Sequence, residues 1–422
     1  MARGIPHNAL LHNDNSHLHC EICRDPLHPP LMQDVIQLSI DEVRNQITQG
    51  TQMWAGARGE ENFRRDNPNL GDKPLQEMRV REIEPMYQQA LKEVREGLSQ
   101  YPIEGGVNLR HEDGSHIMEH IYRNETGRDV VGKGAIGQFI RDNDIKGHTV
   151  SSPDGLSGPS KMPGSSEDTP TWACPIGSHL RGDANSVCSG CYVDSILHTK
   201  HDSVQHHQAR NLLGLAKPHR YAAALSYQMG QSPGDLVRLN SSGDNQGPHH
   251  FAIHSDVARA HPDKRFWLST REQNHLEDWL NAGGQIPPNL TIRVSQHKQH
   301  TPVHGLSDNK QSKKVSALMT MHPNIVGSSV NASHLYDDNV WVCPAAGKKG
   351  DEGTCEYHGC DACWDPTIPA IDYTGHGSKN MHHSLDEMEG MFAETKRRWT
   401  EAQLKTKQAP VSEGFDLSQF GL

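Results

Sequence analysis

The chain has 422 residues, enough at roughly 100–200 residues per domain for two or three domains or one barrel-sized domain with appendages. Its 41 Lys and Arg against 52 Asp and Glu leave a net charge of −11 with His neutral, which argues against a protein whose main task is coating nucleic-acid phosphates, although local basic patches leave room for a nucleic-acid partner. A hydrophobic fraction of 34% with 38 glycines implies extensive loop, no apolar run approaches the about 20 residues a membrane span needs, and the start at Met1 has no apolar signal region, so a cytoplasmic protein without a membrane partner is expected.

Residues 1–150 read as a mainly helical and irregular region that opens on an arm. There His17, His19, Cys20 and Cys23 precede Pro26, Pro29 and Pro30 without apolar periodicity. A helix is expected from Ser39, where Ser39 and Glu42 form a capping box and Ile40, Val43 and Ile47 recur at helical spacing. A second helical stretch covers about 75–101, interrupted at Pro85. The Ser-, Gly- and Pro-rich stretch 151–170 reads as a linker.

From 171 to about 380 the pattern becomes that of an α/β metal-binding core. A polar helix is expected over 193–215, a strand over 236–240, a helix over 250–260, a strand over 265–269, a helix over 273–282 and a strand over 290–294. Further strands are expected at Ser316–Met319 and Val340–Val342. Strand and helix alternating at this spacing predict parallel βα units that form a partial or complete TIM-like barrel. Residues 381–422 read as a charged helix from Ser384 to about Lys407, with Ser384 and Glu387 as its capping box, and a tail after Pro410.

Nine cysteines are an odd number, and without a secretion signal they favour metal ligation over a disulfide framework. They fall into three groups: Cys20 and Cys23; Cys174, Cys188 and Cys191; and Cys343, Cys355, Cys360 and Cys363. Four thiolates complete a tetrahedral zinc site or one cubic cluster, whereas three leave a position open. The C-x11-C-x4-C-x2-C run, interspersed with Gly347, Gly350, Gly353 and Gly359, therefore reads as a closed site for zinc or a relay cluster. Cys174, Cys188 and Cys191 are candidates for an open site, with a structural zinc completed by His179 or His198 as the alternative. His17, His19, Cys20 and Cys23 could tie a zinc knot, belong to an unstructured arm, or form part of a site completed by a distant residue; the run His198, His201, His206 and His207 reads as a solvated helix face.

Just past each expected strand come polar residues: Ser241-Ser242-Gly243-Asp244, Thr270-Arg271 and Ser295-Gln296-His297. In a parallel sheet these converge on one rim, where ligands bind. On that basis Asp244, Arg271 and Ser295 are candidate catalytic residues, and Ser242, Gly243 and Asp244 candidate cofactor contacts; the plainer reading makes Gly243-Asp244 a turn and Arg271 a helix-start charge.

The segments 236–244, 262–271 and 288–295, together with Cys174-Pro175, Cys188-Ser189-Gly190-Cys191-Tyr192, Cys343-Pro344 and Cys360-Asp361-Ala362-Cys363-Trp364, resemble the phage gene product 88 family over about 170–366. That resemblance implies a phage or prophage origin and an intracellular setting. The chain is also distantly similar to radical S-adenosylmethionine enzymes, whose three-cysteine loop holds a 4Fe-4S cluster with one iron open to S-adenosylmethionine, although C-x13-C-x2-C is longer than their usual loop. By that likeness Cys174, Cys188 and Cys191 would hold the cluster, and the Ser242-Gly243-Asp244 turn would meet the cofactor's amino group. The expected function is thus a phage-encoded iron-sulfur enzyme acting on an unknown substrate, with a zinc-stabilised, non-catalytic interaction protein, nucleic-acid-associated in one version, as the rival.

Overall fold

The segment Leu290-Thr291-Ile292-Arg293-Val294-Ser295 shows how the sheet is built. Side chains alternate across a strand, so Leu290, Ile292 and Val294 enter the main apolar core while Thr291, Arg293 and Ser295 face the other side. Both faces are covered, and every residue of this strand is buried. A computed structural model describes residues 91–374, apart from 144, 148–153, 181–182, 184, 192–201, 304–309, 337–339 and 347–349. The expected helix at Ser39, the arm with Cys20 and Cys23, and the helix from Ser384 lie outside the described residues, as do His198 and His201.

Seven strands form one parallel sheet: β1 (Ser165–Ser166), β2 (Leu236–Leu239), β3 (Arg265–Thr270), β4 (Leu290–Ser295), β5 (Ile325–Val330), β6 (Val340–Val342) and β7 (Ala370–Tyr373). Their spatial order is β1-β2-β3-β4-β5-β7-β6. Among the described residues, 91–98 are helical, within the stretch expected over 75–101, and the further α-helices are α1 (Ile117–Thr126), α2 (Lys133–Asp142), α3 (Pro175–Leu180), α4 (Asp202–Gly214), α5 (Pro218–Gln231), α6 (Pro248–Arg259), α7 (Gln273–Asn281) and α8 (Lys310–Met321). Proline opens α5 and α6 at the first helical turn, where its missing N–H costs nothing.

The strand order advances without reversal from β1 to β5. Right-handed crossovers then place every connecting helix on one face, and α5, α6, α7 and α8 do pack each on the next. This single winding is the wall pattern of a barrel; β1 and β6 stand at the two edges of the described sheet. A second small core joins α1 and α2 to Ala223, Ala224 and Tyr227 of α5. The opposite face of the sheet is filled by Trp267, Trp341, Trp364, Ile368 and Ile371 together with the loop between β6 and β7.

Two expectations need correction. Ser316–Met319 is not a strand but the middle of α8, where Val315 and Leu318 are buried one helical turn apart. The stretch 151–170 is not merely a linker: it supplies β1, and Ser166, Glu167, Asp168 and Thr169 are buried where it runs beside β2. No helix among the described residues is long and apolar enough to cross a membrane.

Candidate functional site at the strand-end rim

Because β2, β3 and β4 are parallel neighbours in register, Asp244, Arg271 and Ser295 follow or end adjacent strands on the same rim. The described parts of the stretch 174–191 lie across that rim. Ile176 N–H donates to Glu272 Oε1 at 2.7 Å, Val187 N–H donates to the His297 carbonyl at 2.9 Å, and Ser186 bridges to Lys298. Within the loop Cys174 ends a short 3-10 turn, and Cys188 sits in another turn capped by Ser186 Oγ, which accepts from Cys188 N–H at 2.9 Å. Cys174 and Cys188 come together around Gly177: the position a Cβ would occupy there lies 3.5 Å from Cys174 Sγ and 3.8 Å from Cys188 Sγ.

Arg271 is the charge at the centre of this arrangement. Burial works against its ionisation, but the thiols of Cys188, Cys191 and Cys174 and the Asp244 carboxyl outweigh burial and hold its pKa above the ordinary value. Its Nε is buried without a hydrogen-bond partner, so part of the fork is available to an anionic ligand. His297 Nε2 meets the Arg271 carbonyl at 3.0 Å.

Asp244 faces the chain rather than open space. Oδ1 accepts from Thr270 Oγ1 at 2.7 Å and Asn245 N–H at 2.8 Å, and Oδ2 accepts from Arg271 N–H at 2.8 Å. Burial, then repulsion from Glu272, pushes its pKa up to about 7 against these hydrogen bonds. The geometry suits a positioning residue that ties the β2 loop to the end of β3. Gly243 adopts φ 75°, and a Cβ there would lie 2.1 Å from Thr169 Oγ1, so the segment leading to Cys174 packs directly on it. Ser242 Oγ and the Asn245 amide are buried without hydrogen-bond partners at the same rim. Ser295 Oγ pairs with Ser328 Oγ at 2.8 Å.

The sequence signature described as Gene product 88 matches residues 139–366, more than half of the chain. The chain belongs to the phage gene product 88 family. No curated protein and no solved structure matches it. The match starts well upstream of residue 170, where the resemblance was expected to begin, and takes in β1 and the buried residues after it.

The second cysteine group of this gene product 88 protein sits on the face of the sheet away from the helices. Burial pushes the thiols up, Cys355 to about 12 and Cys360 to about 11, and Cys343 and Cys363 also rise. Neighbouring thiols of the group add to the rise: Cys363, Cys355 and Cys360 act on Cys343, and Cys363 and Cys360 act on Cys355. Packing agrees: Cys343, Cys360 and Cys363 share one cluster with Trp341 and Trp364, and Cys360 N–H donates to the Cys355 carbonyl at 3.0 Å. None of the seven described cysteines is joined in a disulfide. Arg293 of β4, which sequence reasoning passed over as a strand residue, organises the loop by donating to the carbonyl oxygens of Cys363, Ile368, Ala362 and Asp365.

Sequence reasoning also missed Glu167, His250 and His254, which form a fully buried group able to hold a metal. Its one sequence signal is the H-x3-H spacing of His250 and His254. His207, expected on a solvated helix face, is instead buried, with Nε2 3.3 Å from Asp168 Oδ1.

Proposed function

We propose that this gene product 88 protein is an iron-sulfur enzyme of the radical S-adenosylmethionine-like type, with its cluster on Cys174, Cys188 and Cys191. The observation that carries this reading is the gathering of those three thiols around the Arg271 guanidinium, at the carboxyl ends of the strands of a singly wound parallel sheet. The donor set suits such a group, since three thiolates bind three irons of a cubic cluster and leave the fourth open. When bound, the cluster supplies one-electron chemistry.

The chain's own residues do the rest. Arg271 offsets the negative charge of the thiolates and presents its free Nε to a carboxylate of cofactor or substrate. Asp244, with its oxygens engaged by Thr270, Asn245 and Arg271, fixes the direction of Arg271 instead of receiving an ammonium group. Ser242 Oγ and the Asn245 amide offer polar contacts beside it. The four thiols beside Arg293 make a second, closed centre for a relay cluster or structural zinc.

Anaerobic purification tests the reading. A brown protein with iron and acid-labile sulfide, both reduced when Cys188 is changed to Ser, is expected. Colourless protein with stoichiometric zinc on the cysteines would replace this reading with that of a zinc-stabilised interaction protein, which the closed four-thiol site favours.

A further inference from the structure

A polar cluster is sealed inside the apolar layer between β1, β2, α5 and α6. Glu167 follows β1, and its backbone is locked beside β2: its N–H donates to the Arg238 carbonyl and its carbonyl accepts from Ser241 N–H, both at 3.0 Å. His250 and His254 stand one turn apart on α6, on the same face because i and i+4 residues stack. All three side chains are fully buried, and one ligand atom from each lies within 4.8 Å of the others.

Hydrogen bonding does not account for this cluster. Glu167 Oε2, His250 Nε2 and both ring nitrogens of His254 are buried without hydrogen-bond partners, although native structures pair nearly all such atoms. Glu167 Oε2 and His254 Nε2 are 3.6 Å apart, too long for a hydrogen bond, though within ion-pair range were His254 protonated, which is the metal-free alternative for this pair. The separation is close to the roughly 3.3 Å between two ligand atoms that share a tetrahedral ion with bonds of about 2.0–2.1 Å. A supporting partner is in place as well, since Tyr221 Oη donates to Glu167 Oε1 at 2.6 Å and leaves Oε2 as the oxygen facing the histidines.

We propose that Glu167, His250 and His254 bind one divalent first-row transition-metal ion, through Glu167 Oε2 and the two imidazoles, at a site separate from both cysteine groups. Two imidazoles and one carboxylate are a donor set that suits zinc or iron(II) and leaves coordination positions open. Gln246 N–H donates to His250 Nδ1 at 3.3 Å, which keeps the ring proton on Nε2 in the metal-free chain; an ion on Nε2 shifts that proton to Nδ1 and breaks the bond, a cost the metal bond must exceed. Tyr221 acts as a positioning residue through Glu167. Lys146, buried and 5.7 Å from the Tyr221 ring, is the rival source of positive charge: a cluster that used it alone would need no metal.

The test uses the full chain stripped of metal and titrated with zinc. Wild type is expected to bind one equivalent that survives Cys174→Ser and Cys355→Ser. His250→Gln and His254→Gln should each lose that equivalent, and Tyr221→Phe should weaken it about tenfold. Unchanged zinc stoichiometry in both histidine variants would overturn the site. Should those variants fail to fold, hydrogen exchange of the wild type decides: zinc should slow exchange in peptides covering 165–169 and 248–259, and zinc uptake with no change there overturns the proposal. Neither outcome depends on what the cysteines hold, so this site and the iron-sulfur reading stand or fall separately.

Discussion

Arg293 Nε donates to the carbonyl oxygen of Cys363 at 3.0 Å, from the middle of β4 to the loop that carries Cys355, Cys360 and Cys363. The same guanidinium reaches the carbonyls of Ala362, Asp365 and Ile368, so one buried side chain satisfies four backbone acceptors. Replacing Arg293 with Met strands those carbonyls, and a cost of about 3–5 kcal/mol is expected. Denaturant unfolding should show that loss, accompanied by release of whatever Cys343, Cys355, Cys360 and Cys363 bind. Arg293→Met with wild-type stability and metal content would show that the loop is held by its metal or its tryptophans alone.

The thiols of Cys188, Cys191 and Cys174 act electrostatically on Arg271, and by reciprocity its cation favours their thiolates, since a nearby opposite charge lowers the pKa of an acid. Changing Arg271 to Gln should therefore move the pH midpoint for alkylation of Cys174, Cys188 and Cys191 upward by about one unit in metal-free protein. The four C-terminal cysteines act as the internal control, because none of their pKa shifts involves Arg271. Mass spectrometry of iodoacetamide-labelled peptides across pH reads both groups at once. Identical profiles for the two proteins would remove Arg271 from the thiol environment.

Gly243 can be tested by one methyl group. With φ at 75° and a Cβ that would lie 2.1 Å from Thr169 Oγ1, Gly243→Ala combines backbone strain with a collision against the segment that leads to Cys174. Gly106 shares a positive φ of 85°, yet nothing lies within 4 Å of its Cβ position. Gly106→Ala should cost about 1 kcal/mol from conformation alone. Gly243→Ala should cost clearly more and lower metal retention at Cys174, Cys188 and Cys191. Equal melting temperatures for the two variants would mean that the Thr169 segment yields freely.

The strands were legible where apolar residues sit between turn signals: the expected 236–240, 265–269 and 290–294 correspond to β2, β3 and β4 within a residue. Parallel pairing was legible too, from the helices between them. Several elements were hidden, β1, β5, β7 and α5 among them, and β5 and α8 show the physical reasons. β5, Ile325-Val326-Gly327-Ser328-Ser329-Val330, carries glycine and two serines that are poor strand formers, and becomes a strand because β4 and β7 pair with it on both sides. Ser316–Met319 has the short apolar run of a strand, and such runs do not distinguish the two periods. At the rim, residue types marked Asp244 and Arg271 but not their division of labour, because only coordinates show that the Asp244 oxygens meet backbone N–H groups and a hydroxyl of the chain itself. Glu167 could not be joined to His250 and His254 without the crossover that lays β1 beside β2.

Asp244 also makes stability depend on pH in a direction opposite to most carboxylates. Its folded pKa is raised to about 7 by burial and by Glu272, against an unfolded value of about 3.9. Between those values the folded chain binds the proton and the unfolded chain does not. Stability therefore falls as pH rises from about 4 to 7, by roughly 1.4 kcal/mol per unit at most, and levels off above the folded pKa. Asp244→Asn removes the titration while keeping a carbonyl for Thr270 Oγ1 and Asn245 N–H. Relative to wild type, the variant should lose more stability, or gain less, at pH 5 than at pH 8, so the difference between the two proteins shrinks or reverses on going alkaline. Denaturant unfolding at both pH values measures it. A wild-type minus variant difference that stays constant from pH 5 to 8 would mean that Asp244 titrates alike in the folded and unfolded chains, and the hydrogen bonds from Thr270, Asn245 and Arg271 would then be strong enough to cancel both its burial and its repulsion from Glu272.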